Sequence, residues 1–187
     1  MKLLAKTIEL ITNDPMRMDA LKTHQSLNLK DSWIGAGFIR NKIWDHMHGF
    51  RGYHYKSDID VLYFDPTCNL NAQELEIRLN NTTHGITSNL GDWSVKNQAV
   101  MHKRNKDQPY KDTEDAMRYW VETCTSVGIR LNKHNQLEII APFGLEDIYN
   151  LVLKPTHKFK SDLNYVFINR ISKKNWQRYW PKLTVIN

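Results

Sequence analysis

The chain has little that could staple it together or anchor it. Two cysteines, Cys68 and Cys124, occur in 187 residues. Two cysteines in a chain without a secretion signal read as reduced thiols rather than a disulfide framework, and the lack of a CxxC partner disfavours structural zinc. Apolar runs are short, as in Val61-Leu62-Tyr63-Phe64, whereas a membrane span needs about 20 such residues. The opening MKLLAKTIELITNDP is interrupted by Lys6 and Glu9 and has no small-residue cleavage site, so it does not read as a signal peptide. A cytoplasmic protein with reduced thiols is expected. No repeat, low-complexity tract or Gly/Ser-rich linker is visible. Hydrophobic residues make up 41% and charged residues 25%, the range of globular chains. One domain spanning 1–187 is expected.

The net charge of +6 is unevenly spread. Segment 154–187 holds eight Lys and Arg residues against one acid, Asp162. It also holds Phe159, Tyr165, Phe167, Trp176, Tyr179 and Trp180. Mixed basic and aromatic residues suit a phosphate-rich or stacked-base partner. The same pattern arises in a terminal helix with a solvated basic face and a buried aromatic one, and that reading carries more weight.

Leu3, Leu4, Ile8 and Ile11 have helical spacing. Asp14 caps a second helix over 16–27, with Pro15 in its first turn. Ser32-Trp33-Ile34 predicts a short strand running into Gly35-Ala36-Gly37, followed by a helix with an Ile39, Ile43, Met47 stripe. Asp58–Phe64 reads as a strand, 70–79 as a helix and Asp92–Asn97 as a strand with a short helix after it. A polar loop is expected over 103–111 and a helix from Thr113 to about Glu122. Strands 124–131 and 137–140 form a hairpin through Asn132-Lys133-His134-Asn135. A short helix over 144–151 and a last helix reaching Trp180 complete the series. Strands and helices alternate irregularly around the hairpin, which predicts an α+β fold with a small mixed sheet flanked by helices.

Two features carry chemistry. Gly35-Ala36-Gly37-Phe38-Ile39-Arg40-Asn41 is a small-residue turn opening a helix. Backbone N–H groups there can approach a phosphate, the helix N-terminus favours an anion, and Arg40 can reach a phosphate oxygen. Asp58-Ile59-Asp60-Val61 is the second. Strand alternation puts Asp58 and Asp60 on one face, and two adjacent carboxylates suit a hard divalent ion, Mg²⁺ or Mn²⁺. A dinucleotide fingerprint would need a third small residue where Arg40 stands, and no Gly-Lys-Ser/Thr follows to make a P-loop.

A glycine turn with a D-h-D strand (h apolar) resembles the nucleotidyltransferase superfamily that includes DNA polymerase beta and the CCA-adding enzymes. GAGFIRN is similar to the Gly-Gly-Ala-Val-Arg-Asp turn of CCA-adding enzymes, with Ala36 in place of the first glycine and Asn41 in place of the aspartate. WIGAGFIRNKIWD, DIDVLYFD, WSVKNQAVMH, APFGLEDIYNLVLKPT and WPKLTV together resemble a bacterial family of nucleotidyltransferase-like proteins over nearly the whole chain.

The resemblance implies metal-dependent transfer of a nucleoside monophosphate from an NTP to an acceptor, RNA or protein among the candidates. It implies Asp58 and Asp60 as metal ligands and Gly35, Ala36, Gly37 and Arg40 at the triphosphate. Such enzymes usually carry a third carboxylate on a neighbouring strand. Asp92 is the best-placed acid for it, with Glu138 ranked lower. If the Trp93, Val95, Asn97 face of that strand turns to the site instead, Asn97 takes the position. Lys96 and Asn97 are further candidates for contact with the nucleotide. Two rivals stand beside transfer: an inactive nucleotide-binding or regulatory module, and a nucleic-acid-binding protein using the basic C-terminal segment.

Overall fold

The computed structural model describes residues 2–87 and 89–187. A five-stranded mixed sheet, ordered β3-β2-β1-β4-β5, is its centre. The strands are β1 (Trp33–Gly35), β2 (Ile59–Tyr63), β3 (Trp93–Asn97), β4 (Gly128–Leu131) and β5 (Leu137–Ile140). β2 and β3 run parallel, and the other neighbours are antiparallel. The helices are α1 (Lys2–Thr12), α2 (Pro15–Ser26), α3 (Gly37–His48), α4 (Ala72–Thr87), α5 (Gln98–Asn105), α6 (Thr113–Met117), α7 (Glu146–Tyr149) and α8 (Asn164–Lys174). Two short parallel strands, β6 (Val152–Leu153) and β7 (Thr184–Val185), pair near the C-terminus.

Alternation divides the sheet into two faces. Ile59, Val61, Ile34, Val95, Trp93 and Ile129 point to one side and are all buried in the core, where α2, α3 and α4 pack. Asp60, Leu62, Ser94, Lys96, Gly35 and Gly128 belong to the other side. There β1 and β4 meet through two glycines, Gly35 opposite Gly128, which leaves room beside Asp60 for other segments to approach.

Asp14 caps α2 as expected, its carboxylate accepting the Arg17 N–H at 3.1 Å. Several elements differ in extent from the pattern-based expectation. α4 continues to Thr87 through the polar run NNTTHGIT because that run is tied to β3. Asn80 exchanges two hydrogen bonds with the Trp93 backbone, at 3.0 and 2.7 Å, and Trp93 Nε1 donates to Thr83 Oγ1 at 2.6 Å. α6 stops at Met117 instead of reaching Glu122, because the following residues turn to pair with 154–156. Thr123 N donates to the Lys154 carbonyl and Thr156 N to that of Val121. Residues 123–125 form a 3₁₀ turn, so the strand expected from 124 begins only at Gly128.

The last helix ends at Lys174, closed by Asn175 in the left-handed conformation, φ 47°. The chain then folds Trp176 and Trp180 onto Trp44, with ring centroids 5.6 and 5.0 Å apart. Trp180 Nε1 donates to Asp45 at 2.8 Å. Phe159, Phe167, Trp176 and Trp180 are all buried, so most aromatics of the basic segment are core, while Tyr165 is exposed. No helix among the described residues is long and apolar enough to cross a membrane.

Candidate active site

α3 begins directly after β1, and its first turn faces the start of β2. The hinge is Ala36, at φ 55° and ψ −122°, a conformation that costs a residue with a Cβ about 1–3 kcal/mol. No side chain caps α3, so its first backbone N–H groups remain for a ligand. Gly37 is needed for close approach. A Cβ there would lie 2.5 Å from Ser57 Oγ, and Ser57 is the residue before Asp58. The Asn41 amide ties the two segments together by donating to Ser57 Oγ at 3.0 Å.

Asp58 and Asp60 line one small pocket of about 180 Å³ together with Ala36, Gly37 and Arg40. Ser57, Thr125, Lys56, Arg170 and Lys174 join them. The two acids and the side-chain-poor bend are thus neighbours, with Asp58 just before β2 and Asp60 within it. Asp60 pairs with Gly35 on β1 and Ser94 on β3. Burial pushes its carboxyl up to about 6, and the Asp58 charge adds to that, while Arg40, Lys174 and Arg170 pull it back. A carboxylate in this state is primed for a cation that would relieve its repulsion with Asp58.

Arg40 is buried, and its guanidinium lies 4.6 Å from the Trp44 ring centroid and 4.3 Å from that of Trp176. Its Nη1 donates to Thr125 Oγ1 at 2.7 Å. Nε and Nη2 both donate to Asn41 Oδ1, at 3.3 and 3.0 Å. Burial lowers its pKa from the ordinary guanidinium value, the signature of a cation with too little compensating negative charge.

A larger cleft of about 550 Å³ adjoins this pocket and shares Ala36, Asp60, Thr125 and Arg170 with it. Leu62 forms part of its wall, with Met101 and Asn105 of α5, Trp120, and Leu163 and Val166 at the start of α8.

The structure separates the remaining predicted residues. Gly35 lines neither cavity; it lets Leu62 and Trp120 close over the strand, since a Cβ there would meet Leu62 Cδ1 at 2.7 Å. Lys96 lines the larger cleft but is paired with Glu76 at 3.1 Å. Asn97 lies on the opposite sheet face from Asp60, where it caps α5 and accepts the Asp65 N–H. Asp92 is exposed at the head of β3 and lines neither cavity. Glu138 pairs with Arg130 at 2.7 Å. Among the described residues, no group of three His, Cys, Asp or Glu side chains is placed to hold a metal ion.

Sequence reasoning missed Ser57, Thr125, Arg170, Lys174 and Glu122. Arg170 and Lys174 are four apart on α8 and could have been read as a basic stripe. Glu122 gave no signal, since its place depends on the turn after α6.

Known proteins give the arrangement a context. No curated protein sequence matches the chain. A family model described as Nucleotidyltransferase matches residues 22–185. A protein whose NMR structure is described as revealing a CCA-adding enzyme head domain is 35% identical, with a TM-score of 0.82 over 98% of this chain and 95% of that one. A CCA-adding enzyme in complex with CTP is 18% identical, with a TM-score of 0.55 over 100% of this chain and 43% of that one. A tRNA-processing enzyme in its apo form is 17% identical, with a TM-score of 0.52 over 91% and 42%. The two larger proteins share the fold, and this chain spans less than half of their length. The sheet, the bend and the paired acids thus sit in a head-domain framework, and the chain belongs to the nucleotidyltransferase family.

Proposed function

We propose that the chain binds an NTP with a divalent cation and transfers its nucleoside monophosphate to an acceptor. The observation that carries this reading is the small pocket itself. It brings to one point two carboxylates, an uncapped helix N-terminus and Arg40, whose hydrogen-bond partners among the described residues are neutral.

Asp58 and Asp60 would hold the cation. Two carboxylates suit Mg²⁺, which keeps several waters and completes its shell with substrate phosphates; Mn²⁺ suits the same oxygens. When bound, the ion neutralises charge on the phosphates and lowers the pKa of an acceptor oxygen. The chain's own contribution is positioning. The first N–H groups of α3 and the Arg40 guanidinium receive the β- and γ-phosphates, and Lys56, Arg170 and Lys174 balance the remaining negative charge. The α-phosphate then lies over Asp60, with the nucleoside in the larger cleft.

An inactive nucleotide-binding module is the second reading, favoured because no third acid among the described residues completes a metal-holding group with Asp58 and Asp60. RNA is the acceptor class that the exposed Lys173 and Arg178 suit; with Lys174, Tyr55 and Tyr179 they line a groove next to the phosphate pocket. Titration of each NTP with Mg²⁺, followed by tryptophan fluorescence, tests binding. Incubation with labelled NTPs and RNA or cell extract tests transfer. Binding without label transfer selects the module, and transfer that survives Asp58→Ala/Asp60→Ala overturns the site.

A further inference from the structure

The larger cleft contains a group that phosphate binding leaves unused. Glu122 is 0% exposed. Its Oε1 accepts from Arg170 Nε at 2.6 Å, and its Oε2 is buried with no hydrogen-bond partner among the described residues. An unsatisfied oxygen on a buried carboxylate is costly, since burial strips its water and nothing replaces it. Such a group persists where a ligand supplies the missing donor.

The surroundings limit what that ligand is. The cleft's lysines are already engaged, Lys96 by Glu76 and Lys158 by Asp107. Arg170 is engaged by Glu122. The remaining wall is largely apolar and aromatic, with Trp120, Phe159 and Val166 among its residues. A neutral organic group with a hydrogen-bond donor fits this lining, and a phosphate chain does not.

The position of Glu122 along the cleft narrows it further. Its partner Arg170 lines both cavities, as does Thr125, whose N–H donates to the Glu122 carbonyl at 3.2 Å. The carboxylate is therefore tied to the junction with the phosphate pocket. Leu163, at the other end of the cleft's α8 wall, is about 10 Å from Arg170 along the helix axis at 1.5 Å per residue. In a nucleotide the ribose follows the α-phosphate and the base lies beyond it. We infer that Glu122 Oε2 accepts a hydrogen bond from a ribose hydroxyl, making Glu122 a residue that reads the sugar of the bound nucleotide. Reaching Oε2 needs a side-chain adjustment of the kind common on binding.

This inference rests on the nucleotide reading above, and one binding experiment separates the two. The probes are ATP, GTP, CTP and UTP, their 2′-deoxy and 3′-deoxy counterparts, and inorganic triphosphate. Each is titrated with Mg²⁺ against the full chain, the wild type and the variants Glu122→Met and Glu122→Gln. In the wild type, one deoxy series is expected to bind about 10- to 100-fold more weakly than the ribonucleotides, as the loss of one hydrogen bond to a buried charge dictates. That gap collapses in Glu122→Met and narrows in Glu122→Gln, while affinity for inorganic triphosphate does not fall. Equal binding of ribo and both deoxy forms to the wild type overturns the inference. So does a gap that persists in both variants, or a parallel loss of triphosphate affinity, which would make Glu122 only a support for Arg170. Should neither variant keep the wild-type melting temperature, Glu122→Asp takes their place in the same comparison, and a gap equal to that of the wild type overturns the inference. If neither inorganic triphosphate nor any nucleotide binds, the nucleotide reading fails and takes this one with it.

Discussion

Arg17 and Arg40 are both buried beside α3, and the fold treats them differently. Arg17 has a carboxylate of its own: Nη1 meets Asp14 Oδ2 at 2.7 Å, and Nε donates to the Phe38 carbonyl at 2.9 Å. Asp14 is further held by Lys42 at 2.8 Å and by the Tyr53 hydroxyl at 2.6 Å. Among the described residues Arg40 hydrogen-bonds only to neutral partners, Asn41 and Thr125, and lies between two indole rings. The first cluster is closed and serves stability. The second places a cation with no directly bonded acid in the wall of a pocket, an arrangement that suits an anion at some cost in stability.

The contrast can be broken most forcefully at Arg17. Arg17→Met leaves the Asp14 carboxylate without its closest cation and is expected to destabilise the fold by about 3 kcal/mol, read by urea unfolding. Arg40→Met removes a charge that burial disfavours, so it should lower stability much less. Its larger effect is on affinity for inorganic triphosphate, expected to fall about 100-fold, or about 2.7 kcal/mol, by calorimetry. An Arg40→Met protein that binds triphosphate normally would put Arg40 in the structural class with Arg17.

Acid titration sharpens the same comparison. Burial alone would raise the Asp14 carboxyl, but Arg17, Lys42 and Tyr53 hold it down to about 2. A depressed carboxyl contributes stability above its unfolded value, and this is lost as pH falls from about 4 to 2, amounting to about 2 kcal/mol. Asp14→Asn should flatten that part of the stability profile. Asp60 has the opposite sign, with its carboxyl raised to about 6. Its cost to metal-free stability builds between about pH 4 and 6, where the unfolded chain has released a proton that the folded site still holds, and is complete above about 6. Asp60→Asn should therefore stabilise the metal-free protein at pH 7.5 by about 1 kcal/mol after allowance for its partial exposure, read as a higher melting point. The gain should vanish near pH 4, and added Mg²⁺ should stabilise the wild type but not the variant. The smallest expected effect is at the bend. Ala36→Gly relieves the positive φ at some cost in unfolded-chain entropy, for a net gain of about 0.5–1 kcal/mol by thermal unfolding.

The chemistry-bearing pattern was legible because it is local. Gly37, Ala36 and Arg40 lie within one turn of helix, and Asp58 and Asp60 share a face by strand alternation alone. The mixed α+β architecture also followed from the order of short patterns. The boundaries that shifted are those fixed by distant partners, such as α4 held by Trp93 and the turn after Met117 held by residues 154–156. The same cause separates Asn97 from the acids: which face of β3 meets β2's carboxylates depends on register, and Ile59 opposite Trp93 puts Ser94 beside Asp60. Glu122 could not be found by spacing, since its relation to Arg170 crosses 48 positions of sequence.

The stacking of Trp176 on Arg40 and Trp44 has a consequence for how the protein is made. The indole that closes one side of the guanidinium is added about 140 residues after the arginine it covers. A nascent chain that has already formed its sheet and the α3 bend still lacks a finished anion pocket. The nucleotide affinity proposed above should thus arise only after the turn carrying Trp176 has docked on Arg40.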